Sequence, residues 1–484
     1  MLFTSATFVI FFAVFFLLYW YIFSANVKLQ NFLILTSSYI FYAWWDWRFL
    51  FLLAGSSTLN YFLGIGIAKN KNEKYRDFLL WIGLAQGLGS LLFFKYFNFF
   101  VISLVSAFSV FNIQLNIYTL NIILPLGISF YTFRTLSYLL DIKSEKIKPT
   151  IDWVAFYSYV SFFPCLLSGP IDRPKTLIPQ LEKKRVFDYS QASDGMRQIL
   201  WGLFKKIVIA DNCAALTNPV FAQYKILPAS SLSFAVFLFT IQLYADFSGY
   251  SDMAIGTANL LGFRITRNFN FPFFAQSIPD FWRRWHISLT SWLTDYVFTP
   301  LSIYFRDYGK SGLILAILIN FTAIGIWHGA NWTFVLFGFL HGCFYITSIL
   351  RSTANKKKKN SSIMGRPFPL RAFVNMAGTF ILLMFTFIIF RADSLAQAFD
   401  YYRKLFSPSI FYRFTITEKV NTIATLIAII IMLSVEWIQR DKQHALQIDA
   451  VKRFPVRALI YFSLIFFILF FSPPKITDFI YFKF

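Results

Sequence analysis

The stretch Trp327-His328-Gly329-Ala330-Asn331-Trp332 decides how this chain is read, because it interrupts long apolar sequence with an imidazole. Leu313 to Ile326 precedes it as one apolar run, and Trp332 to Leu340 follows as another. An ionisable side chain at that depth is costly unless it is paired or used, which makes His328 the first candidate for chemistry. The glycine and asparagine beside it predict an interrupted helix whose freed backbone groups line a protein-enclosed cavity. The plainer alternative is a histidine that bridges two helices by a hydrogen bond. Three of the four histidines, His286, His328 and His341, fall between Trp282 and Gly342.

Composition fixes the setting. With 57% hydrophobic and 14% charged residues and a mean hydropathy of +0.57, 484 residues have too little polar surface to coat a soluble protein. The chain reads as an all-α polytopic membrane protein. A net charge of +22 raises the question of nucleic acid. The cations, however, are scattered through short loops between apolar runs, which fits positive-inside topology and not a nucleic-acid face. Cys165, Cys213 and Cys343 show no paired metal-ligand spacing, so no metal is expected.

Along the chain, Met1 to Phe23 lacks a basic leader and reads as an uncleaved first span, with the N-terminus outside. Spans follow at Phe32 to Tyr42, Phe49 to Ala68, Phe78 to Phe94 and Phe97 to Phe111. The whole forms a single domain over 1–484 with roughly 11 to 13 membrane-associated segments. Basic loops at Lys69 to Arg76, Lys356 to Lys359 and Arg440 to Arg457 belong in the cytosol, which places the C-terminus outside. Arg134 sits inside an apolar run and needs a polar partner or an aqueous cavity. Lys205 and Lys206, halfway along Gly195 to Ala210, suit an interfacial helix.

Asp246 and Asp252, with Ser248 and Tyr250 between them, need cations, and Arg264, Arg267, Arg283 and Arg284 are the nearest in sequence. Structural ion pairing is favoured over catalysis for these two carboxylates. Trp282 and Trp285 have an alternative as interface anchors, with Arg283 and Arg284 facing headgroups. His444 and Asp449 have a His-x4-Asp spacing, a weak signal in an isolated basic loop.

No Gly-x-Ser-x-Gly elbow, Walker loop or His-Glu-x-x-His motif is present. His328 has better logic: a neutral imidazole removes a hydroxyl proton and returns one to a leaving thiolate, as acyl transfer from a thioester requires. Asn331, or a backbone N–H at the helix break, is a candidate to support the developing oxyanion.

Together Trp282-Arg283-Arg284-Trp285-His286, Asp246-Phe247-Ser248-Gly249-Tyr250-Ser251-Asp252, Trp327-His328-Gly329-Ala330-Asn331-Trp332 and Phe479-Ile480-Tyr481-Phe482-Lys483-Phe484 resemble the membrane-bound O-acyltransferase family, in its branch of alginate and peptidoglycan O-acetyltransferases. The likeness runs from the first span to the last residue, with its core motifs in 240–345. It implies a helical bundle whose funnels meet at a central histidine, His328, with His286 as the second, less universal histidine. Trp327 and the residues around Asp246 would be supporting groups, and Arg134 stands where that branch has a glutamine. The resemblance further implies acetyl-CoA as donor and an extracytoplasmic partner of the SGNH-esterase type. The acceptor would be a cell-envelope polysaccharide and the location a bacterial cytoplasmic (inner) membrane.

Tyr481 resembles the phenol of a terminal Phe-x-Tyr-Phe motif. It is expected either to carry the acyl group or to be an aromatic-belt anchor. Two other functions stay open: a transporter or flippase of lipid-linked saccharides, and a family member acting on a lipid or protein hydroxyl.

Overall fold

The computed structural model describes residues 1–484 except 116, 355–369, 415–418, 473–478 and 481–484. Among the described residues the helix is the only extended regular element, and there is no strand. Among those residues seven helices are long and apolar enough to cross a membrane: Arg48–Lys69, Glu73–Ser109, Ala229–Leu260, Arg306–His328, Trp332–Leu350, Leu370–Arg391 and Asn421–Ile438. Ala6–Ile22 and Phe454–Phe470 are shorter apolar helices. This is a multi-pass helical membrane protein.

Other apolar segments became short helices packed inside protein. At about 1.5 Å per residue the nine residues of Trp153–Ser161 cannot reach across a core of about 30 Å. Ile128–Lys143 is buried along nearly its whole length. Two expected spans, Phe78 to Phe94 and Phe97 to Phe111, are instead one continuous helix, Glu73–Ser109. No proline or glycine separates them, and a π turn at Leu92–Tyr96 joins the two stretches.

The chain divides into two compact units, Met1–Ile199 with Met253–Thr266, and Leu200–Asp252 with Arg267–Phe484. In the first, Arg134 is fully buried and donates to the carbonyls of Tyr159 (3.3 Å), Val160 (3.2 Å) and Pro170 (3.4 Å). Two of these carbonyls are released where the Trp153–Ser161 helix ends at Phe162, whose ψ of 103° is not helical. Irregular backbone inside protein thus supplies the polar partner that an intramembrane arginine requires.

In the second unit, Gly309–His328 and Trp332–Ala354 form a hairpin with a three-residue connection. Their backbones touch through Gly325 and Gly338. A Cβ on Gly325 would collide with the Phe334 carbonyl oxygen, and one on Gly338 with that of Phe321. In lipid, where apolar burial between helices gains little, such close backbone packing is a main source of association. Gly338→Leu is therefore expected to destabilise the protein by about 1–3 kcal/mol through overpacking, read as a lowered thermal midpoint in detergent.

Candidate active site

His328 is the last residue of its helix, and Gly329 follows in extended backbone (φ −170°, ψ 161°). The connection is closed by Asn331, whose Oδ1 accepts from Thr333 N (3.0 Å) while its Nδ2 donates to the Asp393 carbonyl (2.8 Å). Asn331 is thus the cap of the next helix. The Nδ2 keeps a second hydrogen beyond that bond, and the other donors named for a developing oxyanion are backbone N–H groups at the break. The interruption expected from sequence is present, and it leaves the imidazole at a helix C-terminus. The partial negative charge there favours a ring that must transiently hold a second proton.

The His328 ring is 3% exposed and enclosed by Trp327 (5.1 Å between centroids), Phe390 (5.2 Å), Phe337 (6.3 Å) and His286 (6.4 Å). His286 has the left-handed backbone conformation φ 45°, ψ 50°. A non-glycine residue there stores about 1–3 kcal/mol of strain, a pattern that clusters at functional sites. Its Nδ1 lies 3.1 Å from Asn268 Oδ1, which also accepts from Ser288 N (3.3 Å) and Ser288 Oγ (3.0 Å). Asn268 Nδ2 in turn donates to Ser251 Oγ (3.2 Å). An oxygen with those donors is an acceptor, so Nδ1 of His286 carries the proton and Nε2 is the basic nitrogen. Burial, and then the neighbouring His328, push the His286 imidazole well below its ordinary value, so it is neutral at physiological pH.

His341 is structural. Its Nδ1 accepts from the Trp282 indole (3.2 Å), and its Nε2–H donates to Thr386 Oγ1 (3.1 Å), which donates onward to the Leu383 carbonyl (3.0 Å). Trp282 and Trp285 are both buried, at 5% and 3% exposure, which rules them out as surface anchors. Arg283 is exposed and lies 3.7 Å from Asp280 Oδ1, with which Arg284 pairs at 3.0 Å.

The carboxylates of the 246–252 segment find partners that proximity in sequence did not suggest. Asp252 pairs with Lys205 (2.5 Å), which also lies 4.0 Å from Glu436, and Asp246 pairs with Lys206 (2.9 Å), which also holds Asp211 (2.8 Å). Lys205 and Lys206 sit in a π turn, Phe204–Ala210, and are buried, not interfacial. Of the arginines named from sequence, Arg267 acts on Asp252 and Glu436 electrostatically. Tyr244 completes the group by donating to Glu436 (2.9 Å). The readable signal was charge balance: two lysines and a glutamate inside apolar runs must be neutralised by one another.

The second oxygen of Asp246 accepts the Ile480 backbone N–H at 2.8 Å. Phe479, one residue earlier, stacks on Tyr250 (4.8 Å, 27°) and lies 5.9 Å from Phe247, whose ring is 4.7 Å from His286. The chain approaching the C-terminus is therefore seated one aromatic ring away from the histidine pair. Tyr481 itself lies outside the described residues. Ser248 is buried on the same helix, and Arg134 belongs to the other unit.

A cleft of about 370 Å³ runs along the Gly309–His328 helix, lined by Trp282, Ile287, Asn320 and Ile324 among others. Neither histidine lines it, but Ile287 follows His286 in sequence and Ile324 is one helical turn from His328. Asn320 is 8% exposed, and its Oδ1 has no hydrogen-bond partner among the described residues. Within those residues no cluster of three or more metal-ligating side chains occurs.

Two adjacent buried imidazoles, one of fixed tautomer, give a multi-pass helical protein groups that can exchange a proton within the membrane. The profile of the family described as MBOAT, membrane-bound O-acyltransferase, matches residues 91–390. The chain is 38% identical over 414 residues to the probable alginate O-acetylase AlgI of Azotobacter vinelandii, covering 84% of this chain and 78% of that protein. It is 35% identical over 402 residues to the peptidoglycan O-acetyltransferase of Helicobacter pylori, covering 75% and 71%. A teichoic acid D-alanyltransferase of Streptococcus thermophilus is 28% identical over 285 residues, covering 55% and 68%. The chain belongs to the membrane-bound O-acyltransferase family. It is an O-acyltransferase, which sets aside the transporter and flippase alternative.

Proposed function

We propose that this enzyme O-acetylates a cell-envelope polysaccharide, alginate-like or peptidoglycan, by moving acetyl from cytosolic acetyl-CoA across a bacterial cytoplasmic membrane. In this reading residues 1–484 act as one acyltransferase domain with both termini outside, and an SGNH-type extracytoplasmic partner receives the group or delivers it to the polymer. The observation that carries the reading is the His286–His328 pair, 6.4 Å apart, beside the seat of the C-terminal chain, in a protein so similar to acetylases of envelope polymers.

His328 takes the Tyr481 phenol proton as the oxygen attacks the thioester carbonyl. The carbon–sulfur bond breaks, CoA leaves as a thiolate and is reprotonated by the imidazolium, and an acyl-tyrosine ester remains. An acceptor hydroxyl then attacks the ester, the bond from the acyl carbon to the Tyr481 oxygen breaks, and the hydroxyl proton passes to the phenolate, restoring the free phenol. His286, held neutral, supports His328 by position. The test is mass spectrometry of the C-terminal peptide after incubation with labelled acetyl-CoA, parent against His328→Ala. An unlabelled Tyr481 in the parent would remove the relay. A D-alanyltransferase among the relatives makes the acyl group a variable, so aminoacyl donors belong in the same assay.

The cleft along Asn320 is read as the approach of the donor's amide-bearing arm, whose N–H groups suit an unsatisfied carbonyl oxygen. Asn320→Leu keeps the volume and removes a buried unpaired acceptor, a group that costs about 1–3 kcal/mol. The expected outcome is opposite signs: a raised thermal midpoint, and a KM for acetyl-CoA increased roughly tenfold with kcat little changed. A KM that stays at the parent value would reject this route.

A further inference from the structure

Arg185, in the unit formed by Met1–Ile199 with Met253–Thr266, is 6% exposed, yet among the described residues it bonds only neutral groups. Its two terminal nitrogens donate to the carbonyls of Gln180 (3.1 Å) and Leu181 (3.2 Å) and to Gln30 Oε1 (3.1 Å) and Asn31 Oδ1 (2.8 Å). The guanidinium also lies over the rings of Phe263 (5.0 Å) and Tyr19 (5.8 Å). Its Nε–H has no partner among the described residues, and no carboxylate is bonded to it. The Gln180 and Leu181 carbonyls close the Pro174–Glu182 helix, whose dipole offsets part of the charge. The remainder is a buried positive charge without a counter-ion, an expensive state unless an anion joins it.

Space for that anion lies alongside. Arg185 and Lys184 line a cleft of about 560 Å³, together with Phe16, Trp20, Ala25 and Phe187 and a few neighbours, none of them acidic. Trp20 is fixed by its indole N–H, which donates to the Leu260 carbonyl (3.0 Å), and Phe187 packs edge-on against it (5.3 Å). Phe187 and Val186 remain 46% and 74% exposed, which in a membrane protein means ring and methyl surface offered to acyl chains. The adjoining Asp188 is occupied in capping the next helix through Ser190 N (2.8 Å) and Gln191 N (3.2 Å). Cationic donors at one end and apolar walls at the other match one ligand class.

We propose that this cleft binds the phosphodiester of a net-anionic phospholipid, held by the charge of the Arg185 guanidinium and by the Lys184 ammonium, with Trp20 and Phe187 against the acyl chains. A bound lipid would tie the first helix to the segment after Glu182, independently of acyl transfer. The experiment is native mass spectrometry of the full chain released from equimolar phosphatidylglycerol and phosphatidylcholine. The parent is expected to retain one phosphatidylglycerol at about fivefold preference, the scale of one lysine at a membrane surface.

Two variants should bring that preference to near unity: Lys184→Glu, at an exposed position, and Ala25→Trp, which fills the cleft from its rim. Lys69→Glu, on an exposed helix end, should leave it unchanged. Equal retention of both lipids by the parent overturns the proposal, as does a loss in Lys69→Glu equal to that in Lys184→Glu. Displacement of the lipid by millimolar inorganic phosphate would mark a soluble-anion site and overturn it as well.

Discussion

His328→Ala is expected to lower thioester-dependent acyl transfer by about 10²–10⁴-fold, the range that a positioned general base contributes. The magnitude rests on burial. At 3% exposure, among Trp327, Phe337, Phe390 and His286, the imidazole has no bulk water beside it to take over proton transfer. Removing the ring also leaves a hole in an aromatic cluster, so lost stability has to be separated from lost chemistry. His328→Gln serves for this, being polar and similar in size but not a base at neutral pH. Both variants should be equally inactive while Gln retains more of the parent thermal midpoint. Release of free thiol by purified protein is the measurement, and a Gln variant with more than a tenth of the parent rate would exclude His328 as the base. His286→Ala should cost less, because its Nδ1–H is committed to Asn268 at 3.1 Å and it acts through position.

Tyr481→Phe is expected to abolish polymer acylation, a loss on the order of a thousandfold, while leaving the protein folded and a slow hydrolysis of the donor intact. The substitution removes one oxygen from the tail, and the contacts that seat the chain before it are made by other residues. Ile480 N–H still donates to Asp246 (2.8 Å), and Phe479 still stacks on Tyr250 (4.8 Å). An aromatic-belt anchor would survive the change, since Phe fills the same space. The two roles therefore give opposite results in one assay, acyl-polymer formation in membranes carrying the variant. Asp246→Asn should fall between: it weakens both the Lys206 pair (2.9 Å) and the grip on Ile480 while sparing the nucleophile. Acyl-polymer at the parent level in Tyr481→Phe would leave direct transfer from the thioester as the mechanism.

The helical membrane class and the break at His328 were open to a reader of the sequence, because both depend on short-range physics. Apolar runs of spanning length have one backbone solution in lipid, and an imidazole between Ile326 and Gly329 marks its own cost. The partners of Asp246 and Asp252 were not. Sequence proximity pointed to Arg264, Arg267, Arg283 and Arg284, whereas Lys205 and Lys206 hold these carboxylates from a π turn some 40 residues earlier and Glu436 joins them from a much later helix. Desolvated charge seeks a counter-charge through space, and a one-dimensional pattern records only that one must exist. Asn331 is similar: beside the histidine it suggested an oxyanion donor, and only the fold shows that its Oδ1 caps the following helix at Thr333 N while its Nδ2 donates to the Asp393 carbonyl.

By itself, then, the sequence determined that this chain lives in a membrane as helices and that an imidazole interrupts one of them, since spanning length and the cost of buried polarity are written residue by residue. Tertiary structure alone decided that His286 stands 6.4 Å from His328 with its tautomer set by Asn268, and that His341, equally conspicuous in sequence, is a strut between Trp282 and Thr386. Hydrogen bonds between side chains far apart in the chain assign those roles, and their directions exist only once the helices are packed.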